Sequence, residues 1–262
     1  MSRIITIANQ KGGVGKTTTT INLSTCLAQA GKRVLVVDMD PQGNSTSGFG
    51  VDKFGHKQTV YNLLIGEATL EDVILPVCVE GVRLLPANID LSGAEIELIA
   101  MPEREFRLRS IFNHSRYMFD YILIDCPPSL NLLTLNALCA ADSVLIPIQC
   151  EYYALEGLSQ LMNTIQRVQQ KLNARLAIEG VVFTMYDSRT NLSNQVVDEV
   201  RTHLGAHTYK TIVPRNVRLS EAPSHGLPIT LYSSDSKGAE AYKLLAQELM
   251  ERNQMKNREG LS

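Results

Sequence analysis

Short apolar runs punctuate the chain at Ile4 to Ala8, Arg33 to Val37, Val82 to Leu85, Tyr121 to Ile124, Ser143 to Pro147, Ile178 to Thr184 and Tyr209 to Val213. They are dominated by Val, Ile and Leu and mostly lack the apolar-polar alternation of a half-solvated strand, so they read as strands buried on both faces. The segments between them are mostly spaced like helices. Thr17 to Ala30 predicts a helix closed by the glycine stop of Ala30-Gly31-Lys32. Ala154 to Leu172 carries Leu155, Leu158, Leu161, Met162, Ile165 and Val168 at three-and-four spacing, a stripe that belongs in a core or an interface. Lys237 to Arg252 sets Ala241, Leu244, Leu245 and Leu249 on one side, with Glu240, Lys243, Gln247 and Glu251 on the other. Strand alternating with helix predicts an α/β fold, a doubly wound and mostly parallel sheet with helices on both faces. Ligands of such sheets bind beyond the carboxyl ends of the strands.

Composition narrows the class. At 262 residues, 44% hydrophobic and 20% charged, the chain is globular, and we read 1–252 as a single domain followed by a polar, frayed tail at 253–262. No stretch reaches the roughly 18 uninterrupted apolar residues of a membrane span. Met1-Ser-Arg-Ile-Ile leads straight into the first strand, leaving no room for a signal peptide, so a soluble cytoplasmic protein is expected. Five cysteines, odd in number and without C-x-x-C spacing, suggest neither a disulfide framework nor a zinc site, only buried thiols. A net charge of −2 gives no overall pull toward nucleic acid. Any such binding must come from a local patch.

The chemistry is concentrated after the first strand. Lys11 to Thr18 reads K-G-G-V-G-K-T-T between an apolar strand and a helix, which makes it a phosphate-binding loop. Gly12, Gly13 and Gly15 permit turns that a β-carbon would obstruct, so the N–H groups around Val14 can converge on phosphates at the helix N-terminus. Lys16 supplies a fixed charge, Thr17 a magnesium-ligating hydroxyl, and Thr18 continues the loop into the helix. The usual G-x-x-x-x-G-K-[ST] pattern would place glycine where this chain has Gln10. The loop is therefore a variant, and Lys11 is a second lysine that needs its own explanation. One explanation is a solvated lysine welcome near phosphate; the other is a dedicated phosphate contact.

Acidic groups accompany the loop. Tyr121-Ile-Leu-Ile runs into Asp125, a candidate Walker B acid that would hold Mg²⁺ through water. Asp38 and Asp40 close the second strand in V-V-D-M-D-P-Q-G-N, two positions apart and so on one side if the chain stays extended. One could support the metal through water while the other orients an attacking water. An isolated Asp after a strand more often caps a turn, but three beside a phosphate loop point to nucleotide hydrolysis.

Together, K-G-G-V-G-K-T-T, V-D-M-D-P-Q-G-N, I-D-C-P-P-S, Q-C-E-Y-Y-A-L-E-G-L and P-R-N-V-R-L-S-E-A-P-S-H-G resemble the ParA/Soj partitioning ATPases of the deviant Walker A class. The likeness covers nearly the whole chain. It implies a P-loop ATPase using ATP and Mg²⁺ that dimerises around two ATP molecules. In that family a lysine matching Lys11 crosses to the partner's phosphates, a contact of the arginine-finger type worth about 10³ to 10⁵ in rate elsewhere. The hydrolytic aspartate falls on Asp40, with Asp38 an additional acid near the metal. Pro214 and Asn216 match the adenine-recognition loop, with Met185 near it.

Residues 201 to 220 hold Arg201, Lys210, Arg215 and Arg218 with no Asp or Glu, and Arg189 stands just upstream. By charge alone this is an ordinary solvated face. The resemblance implies that Arg189 and Arg218 bind double-stranded DNA without sequence preference, giving a nucleoid-associated switch that a ParB-type partner stimulates. A nucleotide-dependent regulator of a replication initiator or of sporulation-type transcription is the alternative. A membrane-positioning ATPase like MinD would need a Lys-rich amphipathic C-terminal anchor, and a reductase like the nitrogenase iron protein would need thiolates facing a dimer axis. The polar tail and the lone Cys126 beside Asp125 speak against both.

Overall fold

The computed structural model describes residues 2–151 and 154–259. Its strands are β1 (Arg3–Ile7), β2 (Val34–Asp38), β3 (Leu75–Pro76), β4 (Val82–Leu85), β5 (Tyr121–Asp125), β6 (Ser143–Gln149), β7 (Ala177–Tyr186) and β8 (Thr208–Pro214). They form one sheet in the order β3-β4-β2-β5-β1-β6-β7-β8. Every described pairing is parallel except β3 with β4. The expected strands are all present. The added β3 is two residues ending in Pro76, too short to leave a periodic signal. The chain winds from β1 out to β4, returns to β5, and then crosses to the other side of β1. The winding direction thus reverses at β1, which is where such sheets form a crevice.

The uniform apolar runs alternate once folded. Ile4, Leu35, Val37, Ile122 and Ile124 enter one core, while Ile5, Ile7, Val34, Val36 and Leu123 enter the other. Helices 60–65, 91–97, 107–115, 132–140, 154–171 and 191–204 cover the first face. Leu158, Leu161, Ile165 and Val168 of the predicted stripe are buried there, at about 1.5–3 kcal/mol for each fully buried aliphatic side chain.

Helices Lys16–Gln29 and Lys237–Glu259 cover the second face. Lys16–Gln29 is buried although it is rich in hydroxyls. Thr20 donates to the Lys16 carbonyl at 3.0 Å and Thr25 to the Ile21 carbonyl at 2.8 Å, so these side chains enter the core already satisfied. Thr19 shares a 3.1 Å hydrogen bond with Tyr242 of the other helix.

Three expectations are corrected. The last helix continues through 253–259 instead of fraying at Arg252, and residues 260–262 lie outside the described range. Leu244, assigned to its apolar stripe, is 51% exposed because Ala241, Leu245 and Leu249 already complete the inward side. Cys78 is exposed, whereas Cys26, Cys126, Cys139 and Cys150 are buried. No helix among the described residues is long and apolar enough to cross a membrane.

Candidate nucleotide site

The loop leaves the carboxyl end of β1 and is braced from two other strands. Asn9, which carries no motif signal in the sequence, donates to the Pro147 carbonyl of β6 at 2.8 Å and accepts from the Lys11 N–H at 3.0 Å. Thr184 of β7 donates to the Val14 carbonyl at 2.8 Å. Gly13 and Gly15 have φ of 75° and 87°, a region costly for any residue with a β-carbon. Gly15 ends the loop as the N-cap of helix Lys16–Gln29, and no side chain occupies that cap. The first N–H groups of this helix are left for an outside acceptor.

Lys16 is buried and donates to the Lys11 carbonyl at 3.1 Å, so its stem spans the loop. Burial lowers its pKa, while Asp125 and Asp40 oppose the drop. A bound anion would relieve the same strain.

The acids meet at neighbouring strand tips, with Asp38 of β2 in register with Asp125 of β5. Both are fully buried. Asp38 spends both oxygens on protein donors: Oδ2 accepts from the Thr46 N–H at 2.8 Å and hydroxyl at 2.7 Å, and Oδ1 from the Asp40 N–H at 3.2 Å. Burial raises its pKa, and the neighbouring Asp125 raises it further. Asp125 is also raised by burial, with the Ser45 and Thr17 hydroxyls pulling it back. Its Oδ2 accepts from Ser45 at 2.7 Å, whereas Oδ1 is buried with no hydrogen-bond partner assigned among the described residues. That oxygen, on a carboxylate that also feels the Thr17 hydroxyl, fits the water shell of a magnesium ion. Asp40 stands one turn further on, its Oδ1 accepting from the Gln42 N–H at 2.9 Å. The turn then closes through Gly43, at φ 59°.

Beyond the loop lies a cavity of about 470 Å³ that includes Gly15, Thr18, Gln149, Thr184, Met185, Pro214 and Asn216 in its lining. Pairing of β7 with β8, Tyr186 opposite Pro214, brings Met185, Pro214 and Asn216 to the loop from far along the sequence. Met185 adopts φ 50°, rare for a residue with a side chain. Asn216 accepts from the Arg218 N–H at 2.9 Å, which fixes the turn into helix Val217–Glu221.

Lys11 and the two arginines are accessible but paired. Lys11 contacts Glu151 of its own chain at 2.6 Å. Arg189 pairs with Asp187 at 2.6 Å, and Arg218 with Glu221 at 2.9 Å. Both arginines follow the carboxyl ends of β7 and β8, where the Arg215 N–H donates to the Tyr186 carbonyl at 2.9 Å. The basic stretch itself divides. Arg201 lies over the Phe183 ring at 5.8 Å, and Lys210 sits early in β8, whereas Arg215 and Arg218 follow its carboxyl end.

Residues 2–178 match the family model described as AAA domain. The chain is 58% identical over 249 residues to the sporulation initiation inhibitor protein Soj of Bacillus subtilis (strain 168), covering 95% of this chain and 98% of that protein. It is 54% identical over 257 residues to the chromosome partitioning protein ParA of Myxococcus xanthus (strain DK1622), covering 98% and 91%. Among solved structures, the cobyrinic acid a,c-diamide synthase of Mycobacterium smegmatis with bound ADP and magnesium has a TM-score of 0.84 at 39% identity, covering 95% of this chain and 94% of that one. With such identity held across nearly the full length of both relatives, the chain belongs to the Soj and ParA family of chromosome-partitioning ATPases.

Proposed function

We propose that the protein is an ATP-dependent dimerising switch, whose ATP-bound dimer binds double-stranded DNA without sequence preference and whose hydrolysis, stimulated by a ParB-type partner, releases it. The observation that carries this reading is a convergence at one end of the sheet. Buried Lys16, the buried Asp38 and Asp125 pair and the cavity beneath Met185 meet there, with a second lysine, Lys11, left at the rim.

In this reading the N–H groups from Gly12 to Thr18 and the Lys16 ammonium hold the β- and γ-phosphates. Met185, Pro214 and Asn216 take the adenine side. Magnesium, when bound, neutralises charge between the phosphates. Thr17 would ligate it, and Asp125 and Asp40 would hold its water shell, while Asp38, assigned to that shell from sequence, has both oxygens on Thr46 and Asp40 donors and would act as an additional negative charge behind them. Asp40, steadied by the Gln42 N–H, orients the attacking water. Lys11 would leave Glu151 for the partner's phosphates, so that two copies complete each other's site.

Arg189 and Arg218 would contact DNA phosphates. A dimer doubles such contacts, so affinity would depend on both nucleotide and salt. This puts the working protein in the cytoplasm, on the nucleoid. The test is DNA binding with ATP, with ADP and without nucleotide at several salt concentrations, following dimer mass in parallel. Binding that appears only with ATP, tracks the dimer and weakens with salt is expected. A DNA-indifferent ATP dimer would overturn the switch and favour a second reading, a nucleotide-dependent regulator of a replication initiator or of sporulation-type transcription. That alternative is supported by the naming of the Bacillus subtilis relative as a sporulation initiation inhibitor.

A further inference from the structure

Two adjacent hydroxyls in the turn after Asp40 divide the buried acids between them. Ser45 and Thr46 are both fully buried. Thr46 gives Asp38 two bonds and accepts one itself from the Ala87 N–H at 3.0 Å, so Asp38 and Thr46 together pin this turn to the segment that follows β4. Ser45 bonds Asp125 Oδ2 at 2.7 Å and leaves Oδ1, among the described residues, as the carboxylate oxygen of the pair with no hydrogen-bond partner.

We propose that Ser45 is a positioning residue for the magnesium site: by holding Oδ2 it fixes the rotation of the Asp125 carboxylate and so presents Oδ1 to the ion's water shell. The inference rests on the nucleotide and magnesium reading above. A carboxylate at a strand tip has a soft terminal torsion, so its plane is set by whatever hydrogen-bonds to it. In a dry site that partner also decides which oxygen stays available. Removing the Ser45 hydroxyl would take away the 2.7 Å bond that holds Oδ2 and leave the carboxylate only the Thr17 hydroxyl, which a bound magnesium ion would claim, so its plane would no longer be fixed. Thr46 cannot substitute, since its hydroxyl is committed to Asp38 and Ala87.

The test is Mn²⁺ binding to the ADP complex, read by electron paramagnetic resonance, set against ADP affinity in EDTA. Ser45→Ala is expected to weaken Mn²⁺ binding about 10- to 100-fold, as removal of outer-shell partners of metal ligands does, with metal-free ADP affinity unchanged. Ser45→Thr, which keeps the hydroxyl, restores Mn²⁺ binding. Should Ser45→Ala fold poorly, Ser45→Cys keeps the volume with only a weak donor and is expected to show the same selective loss. Unchanged Mn²⁺ affinity in the folded variant, or a loss no larger than that of metal-free ADP, overturns the inference. A wild-type ADP complex that takes up no Mn²⁺ overturns the metal reading and this inference with it.

Discussion

Lys11 Nζ lies 2.6 Å from Glu151 Oε2 of the same chain, while Glu151 Oε1 accepts from Gln149 at 2.5 Å. The lysine proposed to act across a dimer is thus parked in cis, at the rim of the cavity that Gln149 and Glu151 help to line. Both partners are substantially exposed, and ion pairs of that kind contribute about 0–1 kcal/mol. A phosphate can displace so weak a restraint. Lys11→Ala is expected to bind ATP, since Lys16 and the loop N–H groups are untouched, but to lose ATP-driven dimerisation and turnover. Light scattering and phosphate release measure both. An ATP dimer of undiminished population and turnover would return Lys11 to the status of a solvated lysine.

The Asp40 carboxylate accepts from the Gln42 N–H, and Asp40 joins the bonded Asp38, Thr46 and Ala87 set through its backbone N–H, which a side-chain substitution leaves in place. Asp40→Ala should therefore leave the fold intact, keep ATP binding and accumulate the ATP dimer, with hydrolysis reduced about 10²-fold or more, the scale of a missing general base. Single-turnover hydrolysis beside nucleotide affinity separates the two effects. A variant that hydrolyses normally would pass the role to another group at the strand tips.

The free edge of β8 is covered by a charged pair from the last helix. Glu248 accepts from the Lys210 and Thr211 N–H groups at 2.8 and 2.9 Å, and Arg252 donates to the Thr208 carbonyl at 2.6 Å. One side chain takes the strand's donors and the other an acceptor, which closes an edge that would otherwise recruit another strand. Burial alone would raise the Glu248 pKa, but these N–H groups, the Thr211 hydroxyl and Arg252 overcome it and hold the carboxyl below its usual range. The folded form therefore binds the proton less readily than the unfolded chain. This contribution is complete above the ordinary glutamate pKa of about 4.3 and is lost as pH falls through the lower folded value. Glu248→Gln is expected to reduce stability at neutral pH and to flatten the acid limb of the urea midpoint against pH. An acid limb identical to wild type would show that the edge cap carries no linkage.

What the sequence disclosed follows from how local each signal is. The phosphate loop was legible because glycines, lysine and threonine act within one turn, and the strands were legible because burial on both faces demands unbroken runs of Val, Ile and Leu. Ser45 and Thr46 were illegible: a hydroxyl in a polar turn looks solvated until β5 brings Asp125 against it. Asn9 and Thr184 brace the loop across about 140 to 170 positions of chain, beyond any spacing rule. The Glu248 and Arg252 cap looked like an ordinary surface pair, because only the fold supplies the bare strand edge beneath it. Leu244 misled in the opposite sense, an apolar residue at helical spacing with nothing left for it to cover.

Arg189 and Arg218 are 86% and 58% exposed, and each is engaged by an acid of its own loop or helix. The Asp187 carboxyl is held down to about 2, first by its hydrogen bonds to Arg189, so it stays ionised beside the arginine across physiological pH. DNA phosphates would displace these exposed pairs at small cost, and with only two arginines per copy the doubled phosphate contacts of a dimer become decisive. Arg189→Glu or Arg218→Glu is expected to eliminate DNA binding while preserving the ATP dimer, because neither residue reaches the phosphate loop. Milder neutral variants give a sharper reading. Arg189→Ala should reduce the slope of log affinity against log salt by about 0.9 for each phosphate it no longer neutralises, an effect that a dimer doubles. Asp187→Asn, which frees the same arginine, should tighten binding. Were both charge reversals to bind normally, with the salt slope unmoved, the DNA surface would have to lie elsewhere on the molecule.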